Sequence, residues 1–135
     1  MALNKLAYFL YEAYLLSFGA VLTNAKIEAW EHGPVFREIY QSFRQYGDKP
    51  ITGRASFFSI KSEKLEQASA NISDEDESFF RETLSPLLPL NASRLRALSH
   101  AEGGPWWRVW WYEGEVNPGM EITPDMILAQ GKGSF

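Results

Sequence analysis

The chain contains no cysteine in its 135 residues, so disulfides, thiol nucleophiles and thiolate metal sites are excluded from the outset. Histidine is almost as scarce. Only His32 and His100 occur, and neither a His-x-x-x-His nor a His-Glu-x-x-His spacing exists, so no zinc-hydrolase motif can be read. No glycine-rich phosphate loop and no Gly-x-Ser-x-Gly elbow is present. Positive charge is also in short supply. Thirteen Lys and Arg face seventeen Asp and Glu, for a net charge of −4. That leaves no basic footprint for nucleic acid, and Arg94, Arg96 and Arg108 read as ordinary surface. The longest apolar run, Leu6 to Leu22, is 17 residues long and holds Glu12 and three tyrosines. It is short for a membrane crossing of about 20 residues. With Lys5 as its only basic flank it lacks the form of a signal peptide, and a buried helix is expected instead. No metal, cofactor or membrane partner is expected, and the absence of cysteine is compatible with a reducing cytoplasm.

What remains is rich in core material. A hydrophobic fraction of 45% against 22% charged residues fits one folded domain over residues 1–130, with 131–135 as a flexible tail. The expected fold is mainly α, a single helical domain with short extended or β segments around 27–30 and 55–60.

The first helix is expected from Ala2 to Ser17, ended by Phe18-Gly19. Leu3, Leu6, Leu10, Ala13 and Leu16 form its apolar stripe, widened by Phe9, Tyr14 and Leu15. Asn4, Lys5, Tyr8 and Glu12 form a narrow polar side. Such a helix is central and packed on several sides. Further on, Lys61 to Ala70 reads as a polar helical turn with Leu65 inward. Ser73-Asp74-Glu75-Asp76 is a capping box opening a helix with Phe79, Phe80, Thr83 and Leu84 on its apolar side, broken by Pro86 and Pro89. Asn91 caps a short helix, Ala92 to Ser99, with Leu95 and Leu98 inward. Thr123-Pro124 opens a last helix that ends at Gly131.

Two segments stand out. The first is Ile27-Glu28-Ala29-Trp30-Glu31-His32-Gly33-Pro34-Val35. It is echoed about 65 residues on by Leu98-Ser99-His100-Ala101-Glu102-Gly103-Gly104-Pro105-Trp106. Each sets a Gly-Pro corner beside a Trp, a His and an acid. In the first, Ile27 to Trp30 reads as extended chain, Gly33 supplies the corner and Pro34 fits the first position of a helix. Val35, Phe36, Ile39, Tyr40, Phe43 and Tyr46 then recur at helical spacing up to a stop at Gly47. Trp30, Glu31 and His32 would sit at that helix's N-terminus, where free N–H groups favour an acidic or polar partner. The competing reading puts Trp30 in the core and leaves His32 satisfied within the corner.

Trp106, Trp107, Trp110, Trp111 and Tyr112 fall within seven residues. A helix would gather the four tryptophans on one face, and a domain of this size has difficulty burying all of them. Trp106 is expected in the core and at least one of Trp107, Trp110 and Trp111 at the surface for a partner. The polar groups near the corners, Glu28, Glu31, His32, His100, Glu102 and Arg108, form no recognisable catalytic set.

LNKLAYFLY, then IEAWEHGPVFREIYQSFRQYGDKPI, then LSHAEGGPW, in that order, resembles the Panacea domain, the SocA- or GepA-like antitoxin family of bacteria and phages. The resemblance runs with gaps from Leu3 to about Ala129. It implies a non-enzymatic antitoxin, cytoplasmic, that neutralises a cognate protein toxin encoded next to it by direct binding. Alternatives are a proteolytic adaptor that delivers the toxin to a ClpXP-type protease, and an enzyme that disarms the toxin or its product. Trp107, Trp110 and Trp111 are the expected contact anchors, because tryptophans beyond Trp106 depart from the family pattern. Trp30, Glu31, His32, His100 and Glu102 would shape the shared surface. Gly33, Pro34, Val35, Gly104, Pro105 and Trp106 are assigned to architecture. Further departures are a chain that begins almost on the Lys-Leu segment and a doubled glycine, Gly103-Gly104, before Pro-Trp.

Overall fold

Helix α1 (Ala2–Phe18) runs through the middle of the protein in the computed structural model, which describes residues 2–46, 56–59, 64–67, 72–111 and 119–131. The stop at Gly47, Tyr112 and the tail residues 132–135 lie outside the described residues. As expected of a central helix, α1 packs on several elements at once. Its inward face differs from the expected stripe, although Leu15 is buried as expected. The side turned inward carries Asn4, Lys5, Tyr8, Tyr11 and Leu15, while Leu3, Leu6, Leu10 and Ala13 are only half-buried and Leu16 is exposed. The reason lies in what the helix covers. The Asn4 side-chain oxygen accepts the Phe36 backbone N–H at 2.9 Å, satisfying a group at the edge of a sheet. Tyr11 packs edge-to-face on Phe36. A polar stripe is therefore what this helix needs on its inner face. Gly19, at φ 68°, closes it with an N–H to Leu15 O bond of 2.8 Å.

That sheet has three antiparallel strands in the order β2-β1-β5: β1 (Ile27–Trp30), β2 (Gly33–Phe36) and β5 (Glu121–Ile122). β1 and β2 form a hairpin with Trp30 opposite Gly33 and Ala29 opposite Pro34. Here the sequence expectation is corrected. Pro34, Val35 and Phe36 are strand residues, and α2 (Arg37–Phe43) begins only after them, running on into a 3₁₀ turn, Arg44–Tyr46. A proline lacks the N–H for a ladder bond, and an edge strand tolerates that loss. Trp30, Glu31 and His32 consequently end a strand and form its turn, and do not open α2. The dipole argument for an acidic partner lapses with them.

β3 (Ser56–Ser59) and β4 (Lys64–Gln67) make a second antiparallel pair. The first meets the expected extended segment, and the second replaces the expected helical turn. The later helices follow their caps. Ser73 Oγ accepts from Asp76 N–H at 3.1 Å to open α3 (Asp74–Leu84), and Asn91 Oδ1 accepts from Arg94 N–H at 2.9 Å to open α4 (Ala92–Ser99). Gly104-Pro105 opens α5 (Pro105–Trp110), with proline in its first turn. Thr123-Pro124 opens α6 (Pro124–Gly131). On α4 Leu95 is buried as expected, whereas Leu98 is 50% exposed, contrary to its expected inward position. Three residues beyond Leu95 the helix surface has already turned from the core, and the motif that ends α4 uses Ser99 instead.

The core joins Tyr8, Tyr11 and Leu15 of α1 to Ile27 and Ala29 of β1, Phe36, Trp106, Val109 and Trp110 of α5, Ile122 and Ile127. A side cluster of Tyr14, Phe18 and Phe79 ties the end of α1 to α3. The protein is thus mainly helical around a small antiparallel sheet. No helix among the described residues is long and apolar enough to cross a membrane.

Candidate partner-binding site

The two echoing segments meet in space. The Trp106 indole N–H donates to the Trp30 carbonyl at 2.7 Å, and His100 Nε2 lies 2.9 Å from the Glu31 carbonyl. The start of α5 and the end of α4 therefore hold two successive carbonyls of the β1–β2 turn. The His100 and Trp106 rings pack together with centroids 3.7 Å apart. His100 Nδ1 lies 2.6 Å from the Arg96 carbonyl, so both ring nitrogens face carbonyl oxygens. Gly33 closes the turn at φ 130°, where a side chain would be strained, and an added Cβ would stand 3.0 Å from Ser99 Oγ. Gly33 and Trp106 thus stand within this brace, Pro34 and Val35 lie in the edge strand, and Gly104 and Pro105 lie at the α5 start.

Around this brace the eight residues expected to contact a partner separate into groups. Glu31 and His32 are exposed on the turn, and Glu102 is exposed just after His100. Trp30 is half-buried: its indole N–H donates to Glu28 at 3.1 Å and its ring lies edge-on to Tyr40. Glu28 also accepts two hydrogen bonds from Arg37, at 2.9 and 3.0 Å. Those Arg37 bonds, aided by the Trp30 N–H and opposed by burial, hold the Glu28 carboxyl below its usual range.

The tryptophan block is helical, and its face divides. Trp106 is buried as expected. Trp110 is 9% exposed and stacked on Trp106 at 5.5 Å, so its expected role as an exposed anchor is corrected to core packing. The six-residue helix cannot turn every indole outward while capping β1 and β5. Trp107 is half-buried against the core, and Trp111, past the end of α5, is 43% exposed. Arg108, Val109, Met120, Asp125, Met126 and Ala129 line a mostly apolar groove of about 630 Å³ between α5 and α6. Trp111 and the hairpin turn stand at opposite ends of α5, roughly 8 Å apart along its axis.

Three residues escaped the sequence reading. Asn4 and Lys5 belong to the narrow polar side expected of α1, and Ser99 stands in the second segment without an expected role. All three are buried. A lysine kept inside a helix that is otherwise apolar over most of its circumference was the available signal. No group of His, Asp or Glu residues among the described residues could hold a metal ion.

These features coincide with a family match. The family described as antitoxin SocA-like, Panacea domain, matches residues 3–107, a span that holds α1, the hairpin, α4 and the start of α5. The chain is also similar to antitoxin SocA of Caulobacter vibrioides, with 36% identity over 110 residues. That similarity covers 78% of this chain and 56% of the relative, so the chain spans little more than half the relative's length. No solved structure matches. With the family match covering most of the chain and ending within its paired Gly-Pro brace, the protein belongs to the SocA-like Panacea domain family of antitoxins.

Proposed function

We propose that this domain neutralises a cognate protein toxin, encoded next to it, by direct contact in the cytoplasm. The observation that carries the reading, alongside family membership, is the position of Trp111. It is a large aromatic left 43% exposed just beyond the family-matched residues, close in sequence to the α5–α6 groove. Exposed tryptophan is the residue type most enriched among binding hot spots. Trp107 and Trp111 serve as anchors, while Glu31, His32 and Glu102 on the hairpin side supply polar contacts that fix orientation. Trp30 and His100 act behind them by holding the turn. The acidic balance of the chain suits a toxin with a basic surface.

Co-expression with the adjacently encoded protein tests this, scored by growth and by pull-down together. Rescue with stoichiometric co-purification is the expected result. Rescue accompanied by disappearance of the toxin, and lost in a host without ClpXP, would replace direct masking with proteolytic delivery. Rescue at far below equimolar antitoxin would point to an enzyme acting on the toxin or its product.

A further inference from the structure

The outward side of α4 bears a mostly apolar groove of about 350 Å³, lined by Leu90, Ala97 and Leu98, with Arg94 in its wall. Arg94 and Leu98 stand one turn apart on that face, and both are exposed. Helix α4 carries no acid of its own. Arg94 makes no ion pair among the described residues, where Arg37–Glu28 and Arg81–Glu77 are the pairs formed. An apolar groove beside an unpaired guanidinium calls for an apolar side chain with a carboxylate next to it. Such a segment exists on the same chain. Ile72 is 47% exposed and is followed by Ser73 and by the exposed acids Asp74 and Glu75 that open α3. Neither of those carboxylates is ion-paired among the described residues, whereas Glu77 takes Arg81. Helix α3 is eleven residues, about 16 Å, long and stands between this segment and the turn that holds Leu90. Ile72 accordingly does not line the groove of its own copy.

We propose that the α4 groove receives the Ile72–Glu75 segment of a second copy of this chain, so that two copies pair about a two-fold axis and each fills the other's groove. Ile72 enters between Leu90, Ala97 and Leu98, and Glu75, with Asp74 beside it, meets Arg94. Charge selects this pairing over the alternatives. Groove against groove would set Arg94 on Arg94, and segment against segment would set acid on acid; only groove against segment joins opposite signs. Because both halves lie on one chain, the contact is made twice in a closed pair, which offsets the small worth of a single exposed ion pair. This surface shares no residue with Trp111 or the α5–α6 groove, so the proposal does not rest on the toxin-binding reading.

Analytical ultracentrifugation of the full chain from about 5 to about 500 µM tests the pairing. A concentration-dependent monomer–dimer equilibrium is expected. A chain that stays monomeric throughout, or that grows past a dimer, overturns the proposal. Leu98→Glu and Ile72→Glu, both at exposed positions, should each abolish the dimer while the melting temperature of the monomer is kept. Arg94→Glu and Glu75→Arg should each weaken it about tenfold or more, because each sets like charges together in both contacts. Mixing those two variants restores opposite charges in both contacts, so the mixture should dimerise as the wild type does. Dimers that survive Leu98→Glu, or a mixture that associates no better than its two components, overturn the pairing. The wild-type series and the mixture decide the matter even where a glutamate variant fails to fold. A monomeric wild type whose capture of the adjacently encoded protein is lost in Leu98→Glu would assign the groove to the toxin, and would equally overturn the pair.

Discussion

Gly33 carries two constraints at one position. Its φ of 130° lies where L side chains are strained, and the missing Cβ keeps Ser99 and His100 close to the hairpin turn. Gly33→Ala should therefore cost about 3 kcal/mol in chemical denaturation, combining backbone strain with displacement of Ser99. An unchanged midpoint would show that the turn relaxes freely. The sequence made Gly33 visible as a corner but hid its reason, because the groups that crowd it, Lys5, Ser99 and His100, lie far away along the chain. His100 and Trp106 were equally visible and equally incomplete. Their purpose, holding the Glu31 and Trp30 carbonyls, exists only once residues some 70 positions apart are brought together. Tyr8 shows the opposite economy. Its hydroxyl is buried with no hydrogen-bond partner of acceptable geometry, and burial, followed by the nearby Glu12, pushes its pKa far up.

Among the elements, those with local punctuation were legible. Ser73, Asn91 and Thr123-Pro124 mark helix starts through bonds made within one turn, so α3, α4 and α6 could be read from the chain directly. The second strand of the hairpin could not, although Ile27 to Trp30 reads as extended chain and is β1. Pro34 and the Val35–Phe36–Ile39–Tyr40 spacing imitate a helix start, and the decisive fact, that α1 covers the β2 edge through Asn4, is tertiary. The same fact brings the expected polar residues Asn4, Lys5 and Tyr8 of α1 inward beside Leu15. In α5 the sequence gathers the tryptophans on a helix but leaves open which of them the neighbouring strands cover. That division makes α5 the element to cut. Trp110→Ala, removing a buried ring stacked on Trp106, should destabilise the domain by about 3–5 kcal/mol. Trp111→Ala should change stability by under about 1 kcal/mol and yet weaken toxin capture by about 2 kcal/mol or more. Denaturation and pull-down on the same two variants check this, and equal effects of both on stability would remove Trp111 from the contact surface.

For the molecule as a whole, Glu28 is a well-placed source of acid sensitivity. Glu28 stands in the central strand, with Val35 opposite it on β2 and Glu121 opposite it on β5; it accepts from the Trp30 indole of the same strand and ties Arg37 of α2 to it. Its folded pKa is depressed below the model-peptide value of 4.5, chiefly by the Arg37 hydrogen bonds. A depressed carboxyl contributes stability that is fully present above the unfolded pKa and is lost as pH falls through the folded one. Glu28→Gln keeps the shape and removes the charge. The variant should be less stable than the wild type at neutral pH, and the gap should close as pH drops below about 4.5. Arg37→Gln should show the same closing gap, because it removes the partner rather than the titrating group. Denaturant midpoints measured from neutral pH down to about pH 3 decide it. A gap independent of pH would mean that Glu28 holds the sheet by packing alone. Because β1 also bears the turn gripped by His100 and Trp106, loosening it at low pH should weaken toxin capture in parallel.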